Sequence, residues 1–274
     1  TTVVELIPDM PQAAAQFHRE NHDVLARPNV RLVIDDGRHW TRSSVAAYDL
    51  IVADLFYPEN AGTAALYSRE HFTNCRRALR AGGVMVQWIP AHQLSLSSLR
   101  TLAATFTSVF PESSLWWGTE GETIPTVALV GHLDAGAARP DAELLRSAMR
   151  RLPGLREVGW ERPDCLASLR SMSPQGLAAF AAGAVLNVDD RPSIEFEAPR
   201  IETRRGQALF ETLMTLADRL DDEASAEPAL GRFYQARAAF GRSRAWRLVR
   251  RRDLSEAERS RALSLAPECR DLGF

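Results

Sequence analysis

Three carboxylates, Glu5, Asp36 and Asp54, each stand close to where a short apolar run stops. The runs are Thr2-Val3-Val4, Val30 to Ile34 and Leu50 to Ala53, the composition of strands that fill a parallel sheet covered on both faces. In open α/β sheets the ligand crevice lies just outside the carboxyl ends of the strands. A carboxylate at that address is placed to meet a substrate and accepts two hydrogen bonds from the cis-diol of a ribose. Each acid also has a plainer reading: a solvated strand end for Glu5, a turn for Asp36-Gly37, an N-cap or loop anchor for Asp54. Their shared address tips the balance toward a site. Gln87, at the end of the later run Val84 to Trp88, adds a polar group at the same edge.

The elements that must position these residues follow from periodicity. A strand is predicted over Thr1 to Ile7, a helix over Pro8 to Ala26, a strand over Val30 to Ile34 and a short helix over Arg38 to Ala47. After the central strand comes a loop, Leu55 to Ala65, then a helix with Ser68 as N-cap and Ala81-Gly82-Gly83 as its stop. A strand over Val84 to Trp88 and a helix over Ser95 to Phe110 complete the alternation, which argues for a doubly covered parallel sheet. Leu115 to Gly118 and Thr126 to Val130 read as a closing pair of strands. From Asp134 the alternation ends: helical patches (Asp141 to Leu152, Pro174 to Leu186) lead to a loop over Asn187 to Arg200, then to amphipathic helices over Gly206 to Leu220 and Phe233 to Ser264. Ala262 to Pro267 is similar to the end of a tetratricopeptide unit, although a stable array needs several. The division expected is 1–133 for the sheet domain, 134–200 for a peripheral segment packed on it, and 201–274 for a helical appendage.

Composition bounds the function classes. The 274 residues are 45% hydrophobic and 25% charged, ordinary for a domain with a real core. A net charge of −2 gives no global argument for nucleic acid or an anionic membrane, and the cluster Arg242 to Arg252 reads as a solvated helix face. Cys75, Cys165 and Cys269 lie far apart without C-x-x-C spacing, which predicts free thiols, a reducing compartment and no structural zinc. His18 and His22 are four apart, but the intervening Arg-Glu-Asn fits neither helical zinc motif, so no metal is expected. His39 and His71 read as packing or surface residues, Trp116-Trp117 as filler of the sheet edge, and Arg191 as an anchor for the C-terminal segment. No run reaches the ~18 apolar residues of a membrane span, and Thr1 leads into Val3-Val4 without a signal-peptide pattern.

Several stretches together resemble the polyamine aminopropyltransferases, the spermidine synthase family, and within it the bacterial spermidine-synthase-like domains often fused to membrane segments. They are VVELIP from Val3, VRLVIDDGRHW from Val30, YDLIVADLFYP from Tyr48, AGTAALYSREHF from Ala61, GGVMVQW from Gly82 and NVDDRPSIEFEAPR from Asn187. The resemblance implies a Rossmann-like α/β sheet of the S-adenosylmethionine-dependent transferase type with an α-helical C-terminal appendage. It also implies transfer of an aminopropyl group from decarboxylated S-adenosylmethionine to a small-molecule amine, leaving methylthioadenosine, without nucleic acid and without metal. By this resemblance Asp54 is the catalytic base, Glu5 holds the ribose, Asp36 the adenine amino group and Gly37 the ring, while Tyr57 and Gln87 meet the amine.

Two departures qualify the picture. The family's loop reads Asp-Ser-(Ser/Thr)-Asp-Pro, and here it is Asp54-Leu55-Phe56-Tyr57-Pro58. With Tyr57 in place of the second carboxylate, one anionic anchor for a diamine is gone, and a ring face worth about 1 kcal/mol to a cation does not replace it. The family's first strand and Gly-rich loop, which lie centrally, have no counterpart before Thr1. The expectation is therefore an N-terminally truncated sheet: either the chain is a fragment or the missing strand comes from elsewhere. A cytoplasmic location follows, at the cytoplasmic face of a membrane if an upstream membrane segment is fused, with a homodimer left open. Two other functions stay open: a methyltransferase using S-adenosylmethionine on the same sheet, and a non-catalytic nucleoside-sensing or partner-binding module.

Overall fold

The computed structural model of the chain describes residues 1–54, 57–58, 60–118, 125–136, 142–152, 154 and 162–272. The first strand, β1 (Thr2–Glu5), is followed by α1 (Met10–Ala15), β2 (Arg31–Ile34), α2 (Gly37–Ser43) and β3 (Tyr48–Ala53). The helix expected to run to Ala26 stops at Ala15, and His22 and Asp23 beyond it take left-handed backbone at φ 53° and 52°, where no α-helix continues. Then come α3 (Arg69–Ala78), β4 (Leu79–Ile89), α4 (Leu96–Val109), β5 (Glu112–Trp117) and β6 (Val127–His132). Ser68 caps α3 as the sequence predicts, and Ser95, expected as the first residue of α4, caps it instead; each hydroxyl accepts from a backbone N–H three residues on.

Gly82-Gly83 does not stop a helix. β4 begins three residues earlier, at Leu79, and runs through both glycines to Ile89. Gly82 has φ +73°, and a Cβ on Gly83 would lie 2.8 Å from the Arg80 carbonyl oxygen, so the pair makes an irregular passage in the strand that side chains would obstruct. The pairing register with β3 shifts at this level, between Tyr48 and Leu50.

The strands form two sheets. β1 and β2 pair in parallel by themselves, Thr2 opposite Arg31 and Glu5 opposite Ile34. The second sheet has five strands in the order β3-β4-β6-β5-β7, where β7 is Arg170–Met172. In it β3 and β4 are parallel, and every other pairing is antiparallel. β7 has no apolar signature in the sequence; Arg170 is buried there by ion pairs to Glu223 and Glu227.

The main core lies between the five-stranded sheet and its helices. Phe72 meets Phe106 edge-on and Phe106 stacks on Phe110, with ring centroids 5.0 Å apart in each pair, against Met85, Leu115 and Leu129. Leu209, Leu213 and Leu216 of the long helix Arg205–Ala226 enter this same core, as does Ala245. A second core, with Leu220, Tyr234, Phe240 and Ala262, joins that helix to Gly231–Leu248 and Arg252–Leu265. The single helix expected over Phe233 to Ser264 is thus two, broken at Arg250, whose φ is 60°. Cys165 and Cys269 form a disulfide that ties the helix Pro163–Ala167 to the C-terminal turn. The expectation of three free thiols holds only for the buried Cys75. A separation of 104 residues conceals such a pairing from spacing rules, and with it goes the cysteine argument for a reducing compartment. None of residues 1–53 is fully buried.

Candidate functional site

Glu5 and Asp36 come to one edge. Glu5 ends β1 opposite Ile34, its carbonyl accepts from the Asp35 amide at 3.0 Å, and Asp36 caps α2 immediately beyond. Each acid does local structural work with one oxygen. Glu5 Oε1 accepts from the Ile7 amide at 2.8 Å, and Asp36 Oδ1 accepts from the amides of Arg38 at 2.6 Å and His39 at 3.0 Å. The plain reading of Glu5 as a strand end is thus correct as far as it goes, and Asp36 is a helix cap rather than the turn expected. The second carboxylate oxygen of each takes no hydrogen bond among the described residues, and both side chains face solvent at least in part. Gly37 opens α2, and a Cβ there would meet nothing within 4 Å, so its backbone can be approached closely.

Asp54 ends β3 on the second sheet, exposed, one residue past the pair Ala53 and Gln87. Gln87 is fully buried. Its Nε2 donates to the Asp54 carbonyl at 3.4 Å and to the Trp88 carbonyl at 3.0 Å, while its Oε1 has no partner among the described residues. A buried carbonyl oxygen left unpaired costs about 1–3 kcal/mol, so this orphan asks for an N–H donor. Tyr57 is 47% exposed, and its carbonyl accepts from the Thr63 hydroxyl at 2.6 Å. Leu55 and Phe56, in the same loop, lie outside the described residues.

What links the two groups is Arg38, a residue the sequence did not single out. From the first turn of α2 its guanidinium donates to the Ala65 carbonyl at 3.4 Å and forms an ion pair with Asp189. Asn187 grips the same segment. Its Nδ2 donates to the carbonyls of Ala64 at 3.1 Å and Tyr67 at 3.2 Å, its Oδ1 accepts from the Ile194 amide at 3.4 Å, and its own amide donates to Thr105 Oγ1 at 2.9 Å. The anchor of the C-terminal segment is therefore Asn187 with Asp189, not Arg191, which is exposed. An Asn two residues before an acid is too common a pattern to announce this in a sequence.

Electrostatics at this seam favour neutral and paired groups. Burial pushes His71 down to about 4, helped by the nearby Arg38 cation, and pushes the Cys75 thiol up to about 12. The two meet at 3.5 Å as a neutral, unreactive pair. Burial raises the Asp189 carboxyl, but hydrogen bonds from Ser68 and Arg38 outweigh it and hold it below the usual range. The His39 ring, hydrogen-bonded at 3.0 Å, lowers Asp35. Among the described residues no three His, Cys, Asp or Glu side chains group to hold a metal ion.

Strand-end acids on parallel strands alternating with helices place the N-terminal half in the Rossmann-like α/β class. Residues 1–128 match the family model of the spermine/spermidine synthase domain. Polyamine aminopropyltransferase 1 of Pseudomonas aeruginosa is 30% identical over 99 residues, 36% of this chain and 33% of that protein. Polyamine aminopropyltransferase 2 of Hyperthermus butylicus is 33% identical over 116 residues, 40% of this chain and 38% of that protein. The chain thus spans little more than a third of the length of these relatives. Among solved structures, a probable spermidine synthase from Corynebacterium glutamicum is similar at a TM-score of 0.46 and 23% identity, covering 69% of this chain and 63% of that one.

Proposed function

We infer that the chain carries the nucleoside and amine side of an aminopropyltransferase site that uses decarboxylated S-adenosylmethionine. One observation carries the reading: the unpaired, buried Oε1 of Gln87 next to Asp54, within residues that match the synthase domain. An acceptor amine supplies the missing N–H donor, and the Asp54 carboxylate takes its proton. An amine with a pKa near ~10 is mostly protonated at neutral pH and has no lone pair until it is relieved of that proton. The freed nitrogen attacks the aminopropyl carbon bonded to the sulfonium; the C–S bond breaks, its electron pair stays on sulfur, and methylthioadenosine leaves neutral. The free oxygens of Glu5 and Asp36 suit the ribose diol and the adenine amino group, with the Gly37 backbone against the ring.

This reading needs an element between the two sheets, because β3 is paired only with β4 and β1 only with β2 among the described strands. The exposed apolar residues Ile34, Leu50 and Val52 support such a covering element. With Tyr57 where the family has a second carboxylate, we propose an acceptor other than a simple diamine. A cytoplasmic-face location, an upstream membrane segment and a homodimer belong to the same proposal.

The test is isothermal calorimetry of the full-length protein with methylthioadenosine, followed by product analysis over a panel of amines. Asp54→Asn is expected to keep nucleoside binding and lower kcat by at least about a hundredfold. Methyl transfer would release S-adenosylhomocysteine instead of methylthioadenosine. Failure to bind methylthioadenosine would sink the reading.

A further inference from the structure

The arginine cluster between Arg242 and Arg252 is not one solvated face. Arg242 is paired with Asp218 and Asp221, and Arg244 is buried with its guanidinium over the rings of Trp117 and Phe240. Beyond them the chain turns from the helix Gly231–Leu248 into Arg252–Leu265, and the turn carries Arg247, Leu248, Val249, Arg250, Arg251 and Arg252, all exposed. Arg250, Arg251 and Arg252 bring three consecutive positive charges to the turn, and Asp253 beside them pairs with Arg251 at 2.8 Å. Glu256, the next acid along, is a turn further into the second helix.

Two further features set this tip apart. Leu248 and Val249 are 41% and 43% exposed in the middle of the arginines, where a purely solvated turn has no use for aliphatic side chains. Arg250 sits in left-handed backbone at φ 60°. Its amide donates to Arg247 and the Arg251 amide donates to Trp246, the closing pattern of a helix end at which glycine is the ordinary residue. An arginine there bears a conformational cost that glycine would not.

Aliphatic residues ringed by cations at the end of a rigid helical hairpin match an anionic bilayer surface: headgroups take the charge, and the acyl boundary takes the leucine and valine. A nucleic acid offers the same phosphates but no apolar layer for Leu248 and Val249. We propose that the turn 247–252 is a docking tip for anionic lipid membranes. It is separate from the candidate site, and its test does not depend on aminopropyl transfer.

The experiment is co-sedimentation of the full chain with vesicles of phosphatidylcholine containing roughly a third phosphatidylglycerol, and with pure phosphatidylcholine vesicles. Binding is expected only to the anionic vesicles, and it should be lost at about half-molar salt through screening. Each basic residue near such a surface contributes about a fivefold gain, so Arg250→Glu with Arg252→Glu should weaken binding at least about a hundredfold. Leu248→Ser with Val249→Ser should weaken it several-fold at low salt while leaving the salt dependence in place. Because all four positions are exposed, thermal melting of the variants should match the parent. Equal binding to neutral vesicles, no binding to anionic ones, or charge-reversed protein that still sediments would each overturn the proposal. So would tight binding of a labelled oligonucleotide unaffected by the serine substitutions.

Discussion

Residues 1–53 and the remainder of the chain use the same kinds of element, yet only the remainder has an interior. The first region has a parallel strand pair, two short helices and β3, and none of its residues is fully buried. Leu6, Ile7, Phe17, Ile34, Leu50 and Val52 are each at least 46% exposed. Around Phe106, by contrast, Phe72, Phe110, Leu102 and Leu115 are all at 0%. What holds the first region is directional: the β1–β2 ladder, the Asp36 cap and the Arg38 bridge to Ala65 and Asp189. Net gains of about 1 kcal/mol per hydrogen bond do not replace a buried apolar face. A layer with regular backbone geometry and an uncovered apolar surface fits the covering element proposed above. The candidate nucleoside acids sit on that layer, and the candidate amine contacts, Asp54 and Gln87, begin where the interior begins.

The contrast can be broken most forcefully in the core. Phe106→Ala removes a ring that touches both Phe72 and Phe110, and the expected loss is about 3–5 kcal/mol of unfolding free energy in urea or thermal denaturation. Amide hydrogen exchange should follow the same division, with strong protection in β4 and β6 and weak protection in β1 and β2. A loss below about 1 kcal/mol for Phe106→Ala would mean that the division between the regions is drawn in the wrong place.

His71 tests the seam. It is 3% exposed on α3, within the field of Arg38 and Asp36 from the first region and of Asp189 from the C-terminal segment. Its folded value, about 4, lies below the ordinary 6.5, so the unfolded chain binds the extra proton between those two values. Stability is therefore fully present above about pH 6.5 and declines as pH falls toward 4, by about 3 kcal/mol at most for this group. In melting curves against pH, His71→Leu should flatten this part of the decline relative to the parent. Parallel curves for the two proteins would show that His71 does not stay neutral on folding.

Much of this organisation is legible in the sequence, and the misses have physical causes. β-branched and apolar runs ending in acids locate β1, β2 and β3, and the Ser68 cap locates α3, because those signals are local. Gly82-Gly83 reads as a helix stop since the residues before it are helix formers; the structure shows a strand that needs glycine for close passage at Arg80. β7, the disulfide and the Asn187 anchor each depend on partners about 50 to 120 residues away, beyond the reach of any window. Gln87 was readable as a strand-end residue, but its unpaired oxygen was not, because satisfaction is a property of neighbours.

The smallest effect gives the sharpest version of the comparison. Leu50 and Val52 alternate along β3 on one face and are 55% and 56% exposed, while Ile51 between them packs on the main core. In this chain Leu50→Ser removes apolar surface that already meets water, so its stability should change by no more than about 0.5 kcal/mol. The same substitution in a protein whose sheet is completed against β3 would strip a buried leucine and cost about 2–5 kcal/mol. Measuring Leu50→Ser in both settings separates an uncovered interface from an ordinary exposed strand. A near-zero change in each would mean that nothing covers β3, and the two sheets would then have to function as they stand.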